Sequence, residues 1–100
     1  MQIVLKEKLK SYMLLKNKKD IIVEVITSDS SDFEVTELHT HFVNEKQKEF
    51  FKIKKKFYSK ETELGELLLP PYKIEFDNVI TFDLKTFLFI KYIKQEGIKL

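Results

Sequence analysis

The chain has 100 residues, of which 43% are hydrophobic and 13% aromatic, and its formal net charge is +2. These values predict one folded domain, residues 1–100, and argue against intrinsic disorder. The sequence has no cysteine, no glycine-rich phosphate loop and no apolar run near the ~18 residues of a membrane span. We therefore expect no disulfide, no enzyme activity and no membrane partner, and a cytoplasmic location.

The first third of the chain predicts a helix followed by a strand. Residues 3–18 repeat apolar side chains at helical spacing, which predicts an amphipathic N-terminal helix, with a short strand over Gln2–Leu5 as the alternative start. Residues 21–27, IIVEVIT, are an almost unbroken β-branched run and predict a strand in a central or largely covered position. The Ser- and Asp-rich residues 28–32 predict a loop after it.

Two alternating segments in the middle of the chain predict a β-hairpin. Residues 33–43 and 48–58 each alternate in side-chain type, and the four residues Asn44–Gln47 separate them. Pairing the segments across that turn gives one apolar face and one charged face. The predicted opposite pairs are Leu38 with Ile53, Glu37 with Lys54, His39 with Lys52 and His41 with Phe50.

The last third of the chain predicts further strands. Leu67–Leu69, which precede two prolines, predict a short helical turn or a buried crossing segment. Residues 72–84 alternate and predict a half-buried strand, either continuous or interrupted by a bulge or turn. Residues 86–94 are apolar on both parities; we favour a strand, while a helix capped at Gly97 is the alternative.

Together these elements predict an α+β fold, in which an N-terminal helix packs on an antiparallel sheet of four to five strands. The order of one helix and about five bent strands is similar to the Sm-like and SH3-like small barrels. That similarity of layout implies that the sheet curls into a small barrel. It carries no implication for function.

The segment 46–60, KQKEFFKIKKKFYSK, is the strongest candidate for a binding surface because it holds seven of the eighteen lysines and one acid. Lysines between aromatic side chains favour single-stranded nucleic acid, which binds by stacking and backbone charge. Aromatic anchors within a polar rim also favour a protein partner. The residues predicted to bind a partner are Phe50, Lys52, Lys54, Lys56, Tyr58, His39 and His41.

The chain has no arginine, the side chain that most often reads bases and grips phosphate bidentately. We therefore expect a small non-catalytic binding protein, an adaptor, regulator or inhibitor that acts through protein–protein contacts. A nucleic-acid-binding domain that uses the hairpin 46–60 is the alternative. Residues 86–94 also predict an edge strand through which a homo-oligomer could form.

Two histidines lie two residues apart in the sequence Glu37-x-His39-x-His41. The run from His39 to Glu45 has the HxHxxxE spacing of the first metal motif of the cupin family, and it resembles that motif over seven residues. The resemblance implies that His39, His41 and Glu45 would hold a metal ion. Since no third histidine exists to complete such a shell, we expect no metal and no cofactor.

Overall fold

The computed structural model describes residues 1–29, 34–72 and 74–100, and in these residues the chain forms seven strands and two helices. The predicted α+β class is confirmed. In chain order the elements are β1 (Gln2–Leu5), α1 (Glu7–Leu15), β2 (Asp20–Asp29), β3 (Glu34–Val43), α2 (Glu45–Ile53), β4 (Tyr58–Glu61), β5 (Glu66–Leu69), β6 (Glu75–Phe87) and β7 (Ile90–Lys99).

The strands form two sheets instead of the single predicted sheet. One sheet has the order β1-β6-β7 and the other the order β3-β2-β5-β4. Most pairs are antiparallel, but β1 pairs with β6 and β2 with β5 in parallel. Within the described residues the sheets do not close into a barrel, so the Sm-like or SH3-like detail is not confirmed.

At the N-terminus the alternative strand is confirmed, and the helix is shorter than predicted. Residues Gln2–Leu5 form β1, which pairs with Val79–Phe82 of β6. The helix α1 then buries Leu9 and Met13 in the core. The helical spacing over 3–18 was misleading at its start because Ile3 and Val4 satisfy a strand register as well as a helical one.

The central strand β2 explains the unbroken apolar run of residues 21–27. It lies between β3 and β5, which confirms the predicted central position, and residues 20–23 are buried. Ile21 and Val23 face the main core, while Ile22 faces the opposite side and joins a second apolar cluster. The strand β5 repeats this alternation over Leu67–Leu69, so the buried crossing segment is confirmed and the helical turn is wrong.

The predicted hairpin between residues 33–43 and 48–58 is wrong. The strand β3 pairs instead with β2, from Asp20 opposite Val43 to Asp29 opposite Glu34. Residues after Asn44 form the helix α2, which begins with a capping box. The backbone N–H of Gln47 donates to the Asn44 side chain at 2.8 Å, and the Asn44 N–H donates to the Gln47 side chain at 2.9 Å.

The C-terminal strands β6 and β7 form a long hairpin. The preference for strand over helix in residues 86–94 is confirmed, although the turn at Leu88-Phe89 divides this segment. Pairing is interrupted between Phe76 and Thr81, opposite Gly97. Gly97 has a φ of 106°, and a Cβ there would lie 2.6 Å from the Val79 carbonyl oxygen, so this irregularity requires glycine.

Parts of three predicted elements lie outside the residues that the structure describes. Residues 30–32 of the predicted loop, the first residue of the strand predicted at 33–43, and Lys73 all lie there. Within the described part, Ser28 and Asp29 belong to β2 and not to a loop.

Candidate functional site

The basic–aromatic segment 46–60 divides into most of α2, a turn and the beginning of β4. One side of α2 packs on the four-stranded sheet through Phe51, which contacts the cluster of Ile22, Val43 and Leu68. The ring of Phe51 also lies 5.1 Å from the ring of Phe57, centroid to centroid. This apolar contact fixes the helix on the face of the sheet that is opposite the main core.

Two of the segment's lysines attach the helix to the sheet. Lys48 places its ammonium 2.8 Å from Glu66 and 3.1 Å from the buried Asp20. Lys52 reaches the other oxygen of Glu66 at 2.7 Å. These contacts raise the pKa of Lys48 and lower the pKa of Glu66 to about 2, in each case chiefly through the hydrogen bond between the two. Lys52, predicted to bind a partner, is therefore engaged within the protein.

The opposite side of α2 is open, and we call it the α2 outer surface, formed by Lys46, Glu49, Phe50, Ile53 and Lys54. These residues line a shallow cleft of about 230 Å³. Phe50 is 48% exposed and Ile53 is 54% exposed. Since Phe51 supplies the buried contact, the exposure of Phe50 and Ile53 leaves an apolar strip that the fold itself does not cover.

Lysines surround this apolar strip at the end of the helix. Lys54 caps α2, Lys55 and Lys56 follow it, and all three are exposed. In the part of the chain that the structure describes, none of the three lies within ion-pair distance of an acid, and the same holds for Lys46. The result is a basic rim beside two exposed apolar side chains.

The structure separates the remaining predicted residues from this surface or from each other. Tyr58 begins β4 and is 41% exposed, whereas His39 and His41 lie on β3. The strands β3 and β4 are opposite edges of the four-stranded sheet, three strand spacings or roughly 14 Å apart. The predicted face that combined Phe50, the lysines and the two histidines is therefore not formed.

Each histidine has a glutamate partner instead of the predicted neighbours Lys52 and Phe50. His39 lies opposite Glu24, and its ring lies 3.1 Å from Glu37. The ring of His41 contacts Glu24. The first contact lies within the edge strand β3 and the second joins β3 to β2, and both are solvent-accessible pairs that contribute little to stability.

A metal site does not form from the cupin-like spacing in the described residues. Glu45, the third residue of that spacing, begins α2 and pairs with Lys19 at 2.7 Å. Across residues 1–29, 34–72 and 74–100, no group of three or more His, Asp or Glu side chains is placed to hold a metal ion.

The sequence did not reveal a small cleft between the edges of the two sheets. Its volume is about 200 Å³, and aromatic side chains of Tyr12, Phe42 and Tyr92 contribute to its walls together with His41 and Lys91. The rings of Tyr12 and Phe42 stack at 6.1 Å. No sequence signal identifies this cleft, because it depends on bringing β3 and β7 together from distant parts of the chain.

The sequence also did not reveal the exposed tip of the β6–β7 hairpin. Phe87, Leu88, Phe89 and Ile90 are all exposed there, and Phe89 is 99% exposed. The sequence predicts a strand through residues 86–94 and no reversal of the chain within it. A turn that contains neither glycine nor asparagine gave no signal that the chain reverses at this point.

No helix in the described ranges is long and apolar enough to cross a membrane. No protein-family model, curated protein or solved structure matches this chain.

Proposed function

We propose that this chain is a small non-catalytic binding protein that acts through protein–protein contacts. The observation that carries the proposal is the α2 outer surface, where Phe50 and Ile53 are about half exposed beside Lys46 and Lys54. Exposed apolar side chains within a polar rim are typical of recognition surfaces. The basic rim favours one kind of occupant, an acidic segment of another protein that also presents apolar side chains.

Different side chains of α2 hold the helix on the sheet and form its open surface, and this supports the proposal. Phe51 and Lys48 anchor the helix to the sheet, so neither Phe50 nor Ile53 is needed to hold it there. The helix presents these two side chains on a rigid element, which lowers the entropy cost of ordering a binding surface.

Single-stranded nucleic acid is the second candidate, favoured by the exposed Lys54–Lys56 together with Phe50 and Tyr58. Lysine charge binds phosphate, and aromatic rings stack on bases. Because Phe50 is on α2 and Tyr58 on β4, the two rings do not lie on the single strand face that the sequence predicted. The protein partner is therefore the proposal that we place first.

A photo-crosslinking amino acid at position 50, compared with the same amino acid at the exposed position of Leu15 on α1, tests the proposal in the native cell. We expect position 50 to form a protein adduct that position 15 does not form. The adduct alone is not sufficient. The captured protein must also bind the triple variant Lys54→Glu/Lys55→Glu/Lys56→Glu at least tenfold more weakly than the unmodified chain. The control is Lys8→Glu/Lys16→Glu/Lys18→Glu, which reverses the same amount of charge near α1. This control should change the affinity little.

Fluorescence anisotropy with short single-stranded RNA, single-stranded DNA and duplex DNA at two salt concentrations distinguishes the second candidate. Binding that weakens steeply with salt and with Phe50→Ala or Tyr58→Ala would favour nucleic acid over protein. Unchanged anisotropy at low salt, together with a position-50 adduct, would favour the protein partner.

A further inference from the structure

The tip of the β6–β7 hairpin consists of four exposed apolar residues. Phe87 and Ile90 form the last cross-strand pair, and Leu88 and Phe89 form the two-residue turn beyond it. All four side chains are more than 65% exposed, and nothing in the described part of the chain covers them. A strand that docks on one flat partner surface needs apolar side chains on one face only, whereas this tip has an apolar pair on one face and two further apolar side chains in the turn at its end.

The turn places two bulky apolar residues in a backbone conformation that is strained for them. Leu88 has a φ of 48° and Phe89 a φ of 73°. Two consecutive positive φ values define the turn type in which Asn-Gly is strongly preferred, and each costs an ordinary residue free energy. Bulky apolar residues at such positions indicate that their side chains serve a purpose other than forming the turn.

The residues next to the tip are cationic or amphipathic. Thr86 lies opposite Lys91, one rung below the Phe87–Ile90 pair, and Lys85 lies opposite Tyr92, two rungs below it. Lys85 also lies 3.3 Å from Asp83, while Lys91 has no acid within ion-pair distance among residues 1–29, 34–72 and 74–100. An apolar end followed within two rungs by two lysines and a tyrosine matches the change from hydrocarbon to lipid headgroup, because long lysine side chains and tyrosine both lie at that interface.

We propose that the Phe87–Ile90 tip inserts into the surface of a bilayer that contains anionic lipids, with Lys85 and Lys91 at the level of the phosphates. The last pair and the turn extend over about two residue rises, or roughly 7 Å. This depth agrees with the roughly 5–10 Å to which interfacial elements enter a bilayer. A convex tip needs no preformed socket, because the lipid provides an apolar medium on all sides of it.

The proposal goes beyond the protein-binding function, since it uses a different surface of the molecule. It also differs from the sequence-based expectation of no membrane partner. That expectation rested on the absence of a spanning segment, which does not bear on a four-residue tip. The anionic lipids of a cytoplasmic leaflet are compatible with the predicted location.

The absence of tryptophan from the chain permits a direct test. In Phe89→Trp the only indole is at the tip, and in the control Leu15→Trp it is on the exposed side of α1. With vesicles of equimolar phosphatidylcholine and phosphatidylglycerol, we expect a blue shift of emission and quenching by brominated acyl chains for position 89 only. Unchanged emission at position 89, or the same response at position 15, would overturn the proposal.

A second pair of variants separates insertion from loss of the fold. Leu88→Asn/Phe89→Gly suits the two positive φ values and should fold at least as stably, yet its partition onto these vesicles should fall at least tenfold because the apolar turn is removed. Neutralising Lys85 or Lys91 with glutamine should weaken binding to anionic vesicles roughly fivefold for each lysine, and should not weaken binding to pure phosphatidylcholine.

Three other results would contradict lipid insertion. One is vesicle binding that Leu88→Asn/Phe89→Gly leaves unchanged. Another is a concentration-dependent dimer in light scattering that the same variant abolishes, which would mean that a second copy covers the tip. The third is vesicle binding that Phe50→Ser removes, which would assign it to the α2 outer surface. If Phe50→Ser keeps vesicle binding but loses the crosslinked protein, the two surfaces act separately.

Discussion

The ammonium of Lys48 on α2 lies 2.8 Å from Oε2 of Glu66 on β5 and joins the helix to the four-stranded sheet. The same ammonium lies 3.1 Å from Oδ2 of Asp20, whose side chain is 2% exposed. The backbone N–H of Glu66 donates to the other oxygen of Asp20 at 3.0 Å. One lysine thus compensates two carboxylates at the point where β2, β5 and α2 meet, which explains how a buried aspartate is tolerated.

Replacing this lysine should destabilise the fold. In Lys48→Met the stem is preserved, but the buried Asp20 loses its counter-charge, so we expect the free energy of unfolding to fall by about 3 kcal/mol. Urea denaturation measures this change. The control is Lys46→Met on the exposed side of the same helix, for which a change within about 0.5 kcal/mol is expected. Equal effects of the two variants would show that the ion pairs do not hold α2.

Glu66 should give the protein part of its acid sensitivity. Its pKa in the fold is lowered from 4.5 to about 2 by hydrogen bonds from Lys48 and Lys52. Since the folded value is below the unfolded one, its contribution to stability is present above pH 4.5 and is lost as the pH falls from 4.5 to about 2. In Glu66→Gln the free energy of unfolding should therefore depend less on pH in this window.

Urea denaturation at a series of pH values measures that slope, and Glu49→Gln on the exposed side of α2 is the matched control. The comparison uses the slope and not the absolute stability, because Glu66→Gln also removes a partner of Lys48. A slope as steep in Glu66→Gln as in the unmodified chain would assign the acid sensitivity to other carboxylates.

Gly65 should not tolerate a side chain. A Cβ at this position would overlap the carbonyl oxygen of Lys19 and lie 2.9 Å from Oδ1 of Asp20. Because backbone cannot yield as a flexible side chain can, Gly65→Ala should lower the free energy of unfolding by about 2 kcal/mol. Thr62→Ala removes the hydroxyl that accepts the Gly65 N–H and isolates the contribution of that turn. Thermal unfolding compares the two variants. If Gly65→Ala is no less stable than Thr62→Ala, then residue 65 does not approach the Lys19 carbonyl oxygen closely enough to exclude a side chain.

The local pattern of apolar and polar residues was sufficient to predict a strand where the burial of each side chain follows that pattern. The run IIVEVIT predicted a central strand, and β2 is central because β3 and β5 flank it; over Ile21–Val23 the β1-β6-β7 sheet covers one face and α2 the other. The alternation of residues 72–84 predicted β6 for a similar reason. In both cases the side chains face partners of the kind that their pattern requires.

Pattern failed where two regular structures suited the same residues. The alternation after Gln47 fits a strand, but Phe51 and Lys48 also fall on one side of a helix. Without that helix, Ile22 and Leu68 would be exposed on the outer face of the sheet. The geometry expected for the predicted binding residues was wrong: Phe50 and Lys54 are exposed on a helix, whereas Lys52 is engaged by Glu66. Ion pairs between distant segments leave no periodic signal.

The sequence does contain one local signal for the helix, the pair Asn44 and Gln47, and this pair gives the last prediction. Their side chains accept hydrogen bonds from each other's backbone N–H at the start of α2. Asn44→Ala should cost about 1 kcal/mol of stability, since the N–H of Gln47 loses its acceptor. Asn44→Asp keeps an acceptor and adds a charge that the helix N-terminus favours, so it should retain or raise stability. In a turn between two strands, an aspartate at position 44 would have no helix N-terminus to interact with. Urea denaturation measures the stabilities of the two variants. Equal stabilities of Asn44→Ala and Asn44→Asp would contradict a capped helix at this position.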